Sequence, residues 1–148
     1  MNTSDYTYIG FWKRALAALI DTVLMMLLIA PFLTLFYGKS YWTSDSTEIK
    51  GFLDVFLTMI LPIVVTIVFW IYKQATPGKM LFGARIVDVN TGLPPSNGKL
   101  LGRYFGYIVS ALPLLLGFIW IGFDKRKQAF HDKLSGTAVV KKVKITDV

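Results

Sequence analysis

The chain has 148 residues, of which 54% are hydrophobic, and its formal net charge at neutral pH is +7. So much apolar sequence exceeds what a soluble domain carries, and a chain without cysteine excludes disulfides, thiolate catalysis and thiolate zinc sites. Because the basic residues flank the apolar runs, the composition indicates an integral membrane protein that binds anionic lipid headgroups and no nucleic acid.

The first apolar run extends over residues 15–36 and contains one charged residue, Asp21. At 1.5 Å per residue, a helix of this length crosses a hydrocarbon core about 30 Å thick. The run is too long for a cleaved signal peptide and ends without the small-residue pattern that a signal peptidase needs. We therefore predict a retained transmembrane helix.

Asp21 places a carboxyl group at membrane depth. Arg14 lies two helical turns earlier on the same stripe of the helix, about 10 Å closer to the headgroups. An ionisable residue at this depth is costly unless it faces protein or water, which predicts a functional site. The alternative is a carboxyl group that is protonated or hydrogen-bonded for packing alone.

The second apolar run covers residues 52–72, with Asp54 near its beginning and Pro62 near its middle. It is long enough to form the second transmembrane helix. Proline frees a backbone carbonyl, so we predict a kink at Pro62 that serves either a polar pathway or plain packing.

The loop after the second run predicts a small sheet. It begins with a turn at Thr76-Pro77-Gly78 and then alternates apolar and polar residues from Arg85 to Val89, the pattern of a short strand. The stretch from Thr137 to Ile145 has the same character. The two strands pair if both lie on one side of the membrane, which we expect to be the cytoplasmic side.

The third apolar segment covers residues 104–123 and is interrupted by Pro113 and Gly117. If it spans the membrane, the basic residues divide 7 against 9 between the two sides, and neither orientation is favoured. If it bends and returns to the side it entered, the division is 14 against 2. The positive-inside rule favours the re-entrant arrangement with both termini cytoplasmic, in the cell membrane, and a true third span is the alternative.

Small residues recur every four positions at the beginning of this segment, at Gly102, Gly106 and Ser110. Such a face lets two helices approach closely, so we predict a helix contact there, within or between subunits. The resulting fold class is an all-α membrane domain over residues 1–148, with two transmembrane helices, the third apolar segment and the strand pair.

These motifs resemble the RDD family of small bacterial membrane proteins, named for one arginine and two aspartates. Arg14 and Asp21 match the first two letters. The turn at residues 76–79, followed by Gly83-x-Arg-Ile-Val-Asp, is similar to the middle loop of the family. Asp132, in Asp-Lys-Leu-Ser-Gly-Thr-Ala-Val-Val, matches the closing segment, and Asp124 is the weaker alternative for the third letter. The resemblance implies transport, with cation/proton antiport suggested for some members.

The first functional hypothesis is transport of a small cation, with Na⁺/H⁺ antiport as one form of it. A carboxyl group in a low-dielectric site can exchange a proton for a hard cation that prefers oxygen ligands. Asp21 is the predicted carrier, and Thr22 and Thr58 are predicted to add hydroxyl oxygens. Because two or three helices enclose no pathway alone, this hypothesis implies a homo-oligomer.

The second hypothesis is a scaffold or assembly protein without transport. In it, Arg14, Asp21, Arg85 and Asp132 form a structural ion network, because such networks perturb ionisable groups as strongly as active sites do. An enzyme is not expected, since His131 beside Asp132 has no accompanying serine or metal-ligand set. No cofactor or metal site is predicted.

Overall fold

A computed structural model describes residues 6–43, 49–112 and 116–142. Short stretches of strand are joined by helices, two of which are long. In chain order the elements are β1 (Tyr6–Tyr8), α1 (Phe11–Tyr37), α2 (Ser40–Thr43), α3 (Phe52–Val55), a π-helical turn (Phe56–Ile60), α4 (Leu61–Lys73), α5 (Pro77–Leu81), β2 (Ala84–Asp88), α6 (Asn97–Ala111), α7 (Leu116–Ile119), a 3-10 turn (Trp120–Gly122), α8 (Phe130–Ser135) and β3 (Thr137–Lys142).

Helix α1 contains the whole of the predicted first span and extends beyond it at both ends. It stops at Gly38, whose φ of +72° favours glycine and breaks the helix. Most of its apolar side chains point away from the rest of the chain. Phe11–Tyr37 and Phe52–Leu81 are the two described helices long and apolar enough to cross a membrane, in agreement with the predicted spans.

The second long helix adapts to Pro62 by widening one turn. Pro62 lies in the first turn of α4, directly after the π-helical turn, where the amide of Leu61 donates to the carbonyl of Phe56 five residues earlier. Since proline lacks an amide hydrogen, the wider turn absorbs the missing bond of the regular helix. A π turn thus occurs where the sequence predicted a proline kink.

The predicted pairing of two strands is present, with a third strand added. β2 and β3 are antiparallel, with Asp88 opposite Thr137, and β2 begins and ends one residue earlier than predicted. Residues 143–145 of the predicted partner strand lie outside the described residues. β1 pairs with the other edge of β3, giving the order β1-β3-β2. Three residues are too few to show a strand pattern, so the sequence did not reveal β1.

The third apolar segment is sharply bent. The axes of α6 and of Leu116–Gly122 differ in direction by 113°. The predicted breaking residue Pro113 lies outside the described residues, but Gly117 packs directly against Ser110. A Cβ atom at Gly117 would be 2.6 Å from Cα of Ser110, so only glycine lets α7 fold back onto α6.

The largest apolar core lies between the sheet and helices α4 and α6. It joins residues from five elements and loops that are far apart in sequence: Ile9, Trp70, Ala84, Ile86, Leu100 and Val139. Its ends are closed by Tyr104 and Tyr107. The core holds the beginning of α1, the end of α4 and the beginning of α6 together.

Candidate functional site

Asp132 lies between two arginines in the interior of the protein. Oδ2 accepts a hydrogen bond from Nη1 of Arg14 at 2.5 Å, and Oδ1 accepts one from Nη1 of Arg103. Asp132 and Arg103 are fully buried and Arg14 is 8% exposed. The three residues come from α8, α6 and α1, so a single carboxylate joins three helices.

Other donors of the two arginines extend this cluster to the loops and the sheet. Arg14 donates from Nε to the carbonyl of Ile9 at 2.9 Å and from Nη2 to that of Lys127 at 2.7 Å. Arg103 donates to Oγ1 of Thr137, at the beginning of β3, at 2.7 Å. Two buried cations are tolerable here because they share one carboxylate and several neutral acceptors.

Burial alone would raise the pKa of Asp132, but Arg103 and Arg14 more than offset this effect and hold the pKa well below its usual range. Asp132 also accepts a hydrogen bond from the amide of Ala129 at 3.0 Å, at the beginning of α8. The carboxylate is therefore ionised at neutral pH and surrounded by donors.

His131 lies next to this cluster but is bonded to serine. The amide of His131 donates to Oγ of Ser110 at 3.0 Å, and Nδ1 lies 3.1 Å from the same oxygen. The imidazole stacks on Tyr107 with ring centres 4.0 Å apart. Burial, helped by the charge of Arg103, lowers the pKa of His131 to about 2, so the ring is neutral at neutral pH.

Asp21 contacts the turn after the second long helix. Oδ2 accepts a hydrogen bond from the hydroxyl of Thr76 at 2.5 Å, and Oδ1 accepts one from the amide of Gly78 at 2.7 Å. A Cβ atom at Gly78 would be 2.1 Å from the carbonyl oxygen of Ala17. Thr76 therefore supplies a hydrogen-bond donor, Pro77 begins helix α5, and Gly78 allows the close approach to α1.

The predicted hydroxyl ligands do not meet Asp21. Thr22 is exposed and donates to the carbonyl of Ala18 at 2.9 Å. Thr58 lies on the other long helix and donates to the carbonyl of Asp54 at 2.7 Å. Each hydroxyl is occupied by its own helix, a local bond that sequence spacing does not reveal. In the described part of the chain, no group of three or more His, Asp or Glu side chains has the geometry of a metal site.

Arg85 does not join the ion cluster in the described structure. It is exposed on β2, where it lines an open depression of about 1060 Å³ together with Lys141 and Lys142. Arg103 occupies the predicted place of Arg85 beside Asp132. Period-two alternation directs Arg85 away from the core, because its neighbours Ala84 and Ile86 are buried.

A signal for Arg103 exists in the sequence. Arg103 stands seven residues before Ser110 at the entry of an apolar helix, the same spacing that separates Arg14 from Asp21. Two turns of helix bring such residues to one face. The spacing marks Arg103 as a candidate for a buried arginine, but it does not show which residue Arg103 meets.

The predicted small-residue face is only partly at a helix contact. A Cβ atom at Gly106 would be 2.9 Å from Cα of His131, and Ser110 is fully buried against the same residue. Gly102 is exposed, with no atom within 4 Å of such a Cβ position. The contact lies within the chain, between α6 and α8, and begins one turn later than the glycine pattern suggests.

Asp124, the alternative for the third family letter, lies outside the cluster. It pairs with Lys133 at 2.5 Å and accepts hydrogen bonds from the amides of Arg126 and Gln128. Lys133 and the backbone amides lower the pKa of Asp124 more than burial raises it. This carboxylate shapes the loop before α8, whereas Asp132 joins helices.

A partly open cavity of about 410 Å³ adjoins the cluster, between α1, α6 and α7. Charged and apolar side chains both line it: Phe11, Arg14, Ala15, Ala18, Asp21, Lys79, Arg103, Tyr107, Phe118, Ile119, Ile121 and His131. Arg14 and Asp21, which lie on one stripe of α1, both line this cavity. Its volume lies in the range of about 300–1000 Å³ typical of small-molecule sites.

These features define a small multi-pass membrane protein in which a buried arginine–aspartate–arginine cluster joins apolar helices to a short sheet. The RDD family profile matches residues 8–136, and the chain belongs to the RDD family.

Three relatives are similar to the chain over at least half of its length. The chain is 32% identical over 150 residues to the uncharacterized protein YxaI of Bacillus subtilis, covering 90% of this chain and 97% of that protein. It is 39% identical over 75 residues to the uncharacterized protein RP437 of Rickettsia prowazekii, covering 51% and 41%. The uncharacterized membrane protein YteJ of Bacillus subtilis is 26% identical over 148 residues, covering 91% and 82%. No solved structure matches the chain.

Proposed function

We propose that this RDD protein is a membrane-embedded binding and assembly protein, in which the arginine–aspartate network is structural and the adjoining cavity is the binding site. One observation carries the proposal: the carboxylates already have protein donors on both oxygens. Asp132 accepts from two arginines, and Asp21 accepts from Thr76 and Gly78. A cation carrier instead needs carboxylate oxygens that replace the hydration shell of the ion.

For the topology we propose two transmembrane helices and a re-entrant third segment. The first transmembrane helix is α1, and the second is the continuous helix formed by α3, the π-helical turn and α4. β3 follows that segment in sequence, yet it pairs with β1 before α1 and with β2 after α4. Two crossings return the chain to its starting side, and a third full crossing would carry β3 away from its partners. The sheet and the charge division of 14 against 2 thus support one arrangement, with both termini at the cytoplasmic side of the cell membrane.

Single-cysteine labelling tests this topology directly, because the chain has no cysteine of its own. We expect Lys39→Cys, in the loop after α1, to react with a membrane-impermeant maleimide in intact cells. Lys125→Cys, after the third segment, should react only after the cells are opened. Labelling of both sites in intact cells would show that the third segment crosses the membrane.

Exchange of a small cation for a proton at Asp21 is the second candidate function. The observation in its favour is that Asp21 is only partly buried and lines the cavity beside Lys79. Because one chain provides two spanning helices, this function requires a homo-oligomer whose subunits enclose the pathway together.

A flux assay in proteoliposomes separates the two functions. The binding role predicts no sodium- or potassium-dependent proton flux in the wild type. Exchange predicts such flux in the wild type and its loss in Asp21→Asn, a change that keeps the shape of the side chain but removes its charge. Asp54→Asn, at the other end of the second helix, is the matched control. Flux that is lost only in Asp21→Asn would refute the binding role.

The binding role is also better supported than an enzymatic role with His131 as the general base. A general base works best when its pKa is near the operating pH. The imidazole of His131 has a pKa of about 2 and its Nδ1 is paired with Ser110, so it is poorly suited to accept a proton at neutral pH.

A further inference from the structure

We propose that the cavity between α1, α6 and α7 binds an amphipathic anion, that is, an apolar chain carrying one carboxylate or phosphate headgroup. The inference rests on the binding role proposed above and names its ligand class. The headgroup lies against the basic wall, and the chain leaves between α1 and α7 toward the lipid.

Basic side chains outnumber acidic ones along the cavity wall. Among the described residues, Arg14, Lys79 and Arg103 line it together with one carboxylate, that of Asp21. Asp132, behind the arginines, adds a second carboxylate. Arg14 and Arg103 share the carboxylate of Asp132, and Lys79 is a third basic group, whose pKa is lowered by burial. An anionic ligand beside Lys79 would favour its protonated form and pair with it, so the cavity suits an anion.

Two cationic side chains have donors left for such a ligand. Nε of Arg103 is buried and has no hydrogen-bond partner in the described part of the chain. Lys79 is 8% exposed and forms no ion pair within residues 6–43, 49–112 and 116–142; its Nζ lies 5.4 Å from the centre of the Trp70 ring. Arginine and lysine donate only, which suits carboxylate or phosphate oxygens.

The rest of the cavity suits an apolar chain. Phe11, Phe118 and Ile121 supply apolar side chains, and small residues on α1 leave the space between α1 and α7 open. Ala18 and Ile119 line the cavity and are also exposed. Their exposed neighbours on α1 are apolar residues of a membrane-spanning helix, so the cavity opens toward lipid rather than toward water.

Photolabelling tests this inference on the full-length protein in phosphatidylcholine nanodiscs. The probe is an oleate analogue with a diazirine next to its carboxylate. We expect saturable labelling of α6 and α7 residues in the cavity, displaced by oleate or dodecyl phosphate. Oleyl alcohol lacks the charge, whereas acetate and inorganic phosphate lack the chain, so none of them should displace the probe at equal concentration.

Variants locate the site. Lys79→Gln should weaken displacement by oleate about tenfold, the effect of one lost charge-assisted hydrogen bond. Ala18→Phe fills the opening and should abolish saturable labelling. Lys13→Gln removes an exposed charge near the same end of α1, and Val23→Phe enlarges a lipid-facing residue; both should behave like the wild type.

Four outcomes would overturn the inference. They are unchanged labelling of Ala18→Phe, equal displacement by oleyl alcohol and oleate, displacement by acetate or inorganic phosphate alone, and wild-type labelling spread without saturation over α1 and α4. The last needs no variant, so the test stands even if a variant fails to fold. Cation flux through Asp21 would refute the proposed function. It would not decide whether the cavity binds an amphipathic anion, because saturable labelling tests that separately.

Discussion

The two ends of helix α1 are held by different means. Near its beginning, Arg14 and Ala17 are buried among charges, amides and the α5 turn. Near its end, Ile29 and Leu33 pack on Leu57 in a small apolar cluster. In a bilayer, lipid tails are as apolar as leucine, so apolar contacts alone favour few arrangements over others. We call the beginning of α1, next to the sheet, the sheet end, and the other end the far end. The comparison teaches that directional polar bonds specify the fold at the sheet end, whereas the shape of apolar side chains does so at the far end.

The far end has a polar contact of its own, at the edge of the apolar cluster. The hydroxyl of Tyr41 donates to Oδ1 of Asp54 at 2.6 Å, and the amide of Lys50 donates to Oδ2 at 3.0 Å. Asp54 here joins the short helix α2 and the residue Lys50 to the beginning of the second long helix, whereas Asp132 joins three helices. We therefore expect substitutions at the sheet end to cost more.

The largest effect is expected for Asp132→Asn. This change leaves Arg14 and Arg103 buried without their shared counter-charge, which costs about 3–5 kcal/mol of unfolding free energy. The matched control, Asp124→Asn, breaks a pair with the half-exposed Lys133 and should cost about 1 kcal/mol or less. Thermal unfolding in detergent measures both. Equal losses would mean that the buried cluster is not what holds the sheet end together.

Gly78→Ala should have the next largest effect. Its methyl group would be 2.1 Å from the carbonyl oxygen of Ala17, so α5 must move away from α1 and the bond to Asp21 is disturbed. Overpacking of this kind costs up to about 3 kcal/mol. Gly98→Ala is the control, because its methyl group would have no neighbour within 4 Å. The close approach is unimportant if both variants melt at the same temperature.

The sheet end should also be weakened by mild acid through His131. Its folded-state pKa of about 2 lies below the ordinary value near 6.5, so the unfolded chain binds a proton first as the pH falls. The stabilising contribution is complete above pH 6.5 and declines by about 1.4 kcal/mol per pH unit below it. Urea unfolding at pH 7 and pH 5 should differ by about 2 kcal/mol in the wild type.

The control for this acid effect is His131→Asn, which cannot titrate. Between pH 7 and pH 5 its stability should change less than that of the wild type, whatever its absolute value. Asp132 and Asp124 do not contribute in this window, because their pKa values are lowered from an ordinary value near 4. A wild-type protein equally stable at both pH values would contradict the buried, neutral imidazole.

The smallest effect is expected for Tyr41→Phe at the far end, about 1 kcal/mol for one hydrogen bond. The bond to Asp54 raises the pKa of Tyr41 to about 12. The stabilising effect is therefore complete below pH 10 and is lost as the pH rises through 12. Tyrosinate absorbance should show one late-titrating tyrosine that is missing in Tyr41→Phe and present in the control Tyr72→Phe, at an exposed position.

The long helices could be predicted from the sequence alone, and so could β2 and β3. Continuous apolar runs and period-two alternation are local properties, and each run dictates its own backbone hydrogen bonding. Membership of the RDD family followed in the same way, from the order of short motifs beginning with Arg14. The pairing of Arg14 with Asp132 was part of the predicted ion network, and it does not follow from spacing.

The tertiary structure decided which residues meet. Arg103 rather than Arg85 completes the cluster, Thr76 rather than Thr22 or Thr58 bonds to Asp21, and β1 joins the sheet. Each of these contacts joins segments more than 25 residues apart, and each depends on the direction of a side chain after the helices have packed. Local sequence patterns carry no information about such directions, because the free energy that selects them arises only when buried donors and acceptors compete for partners.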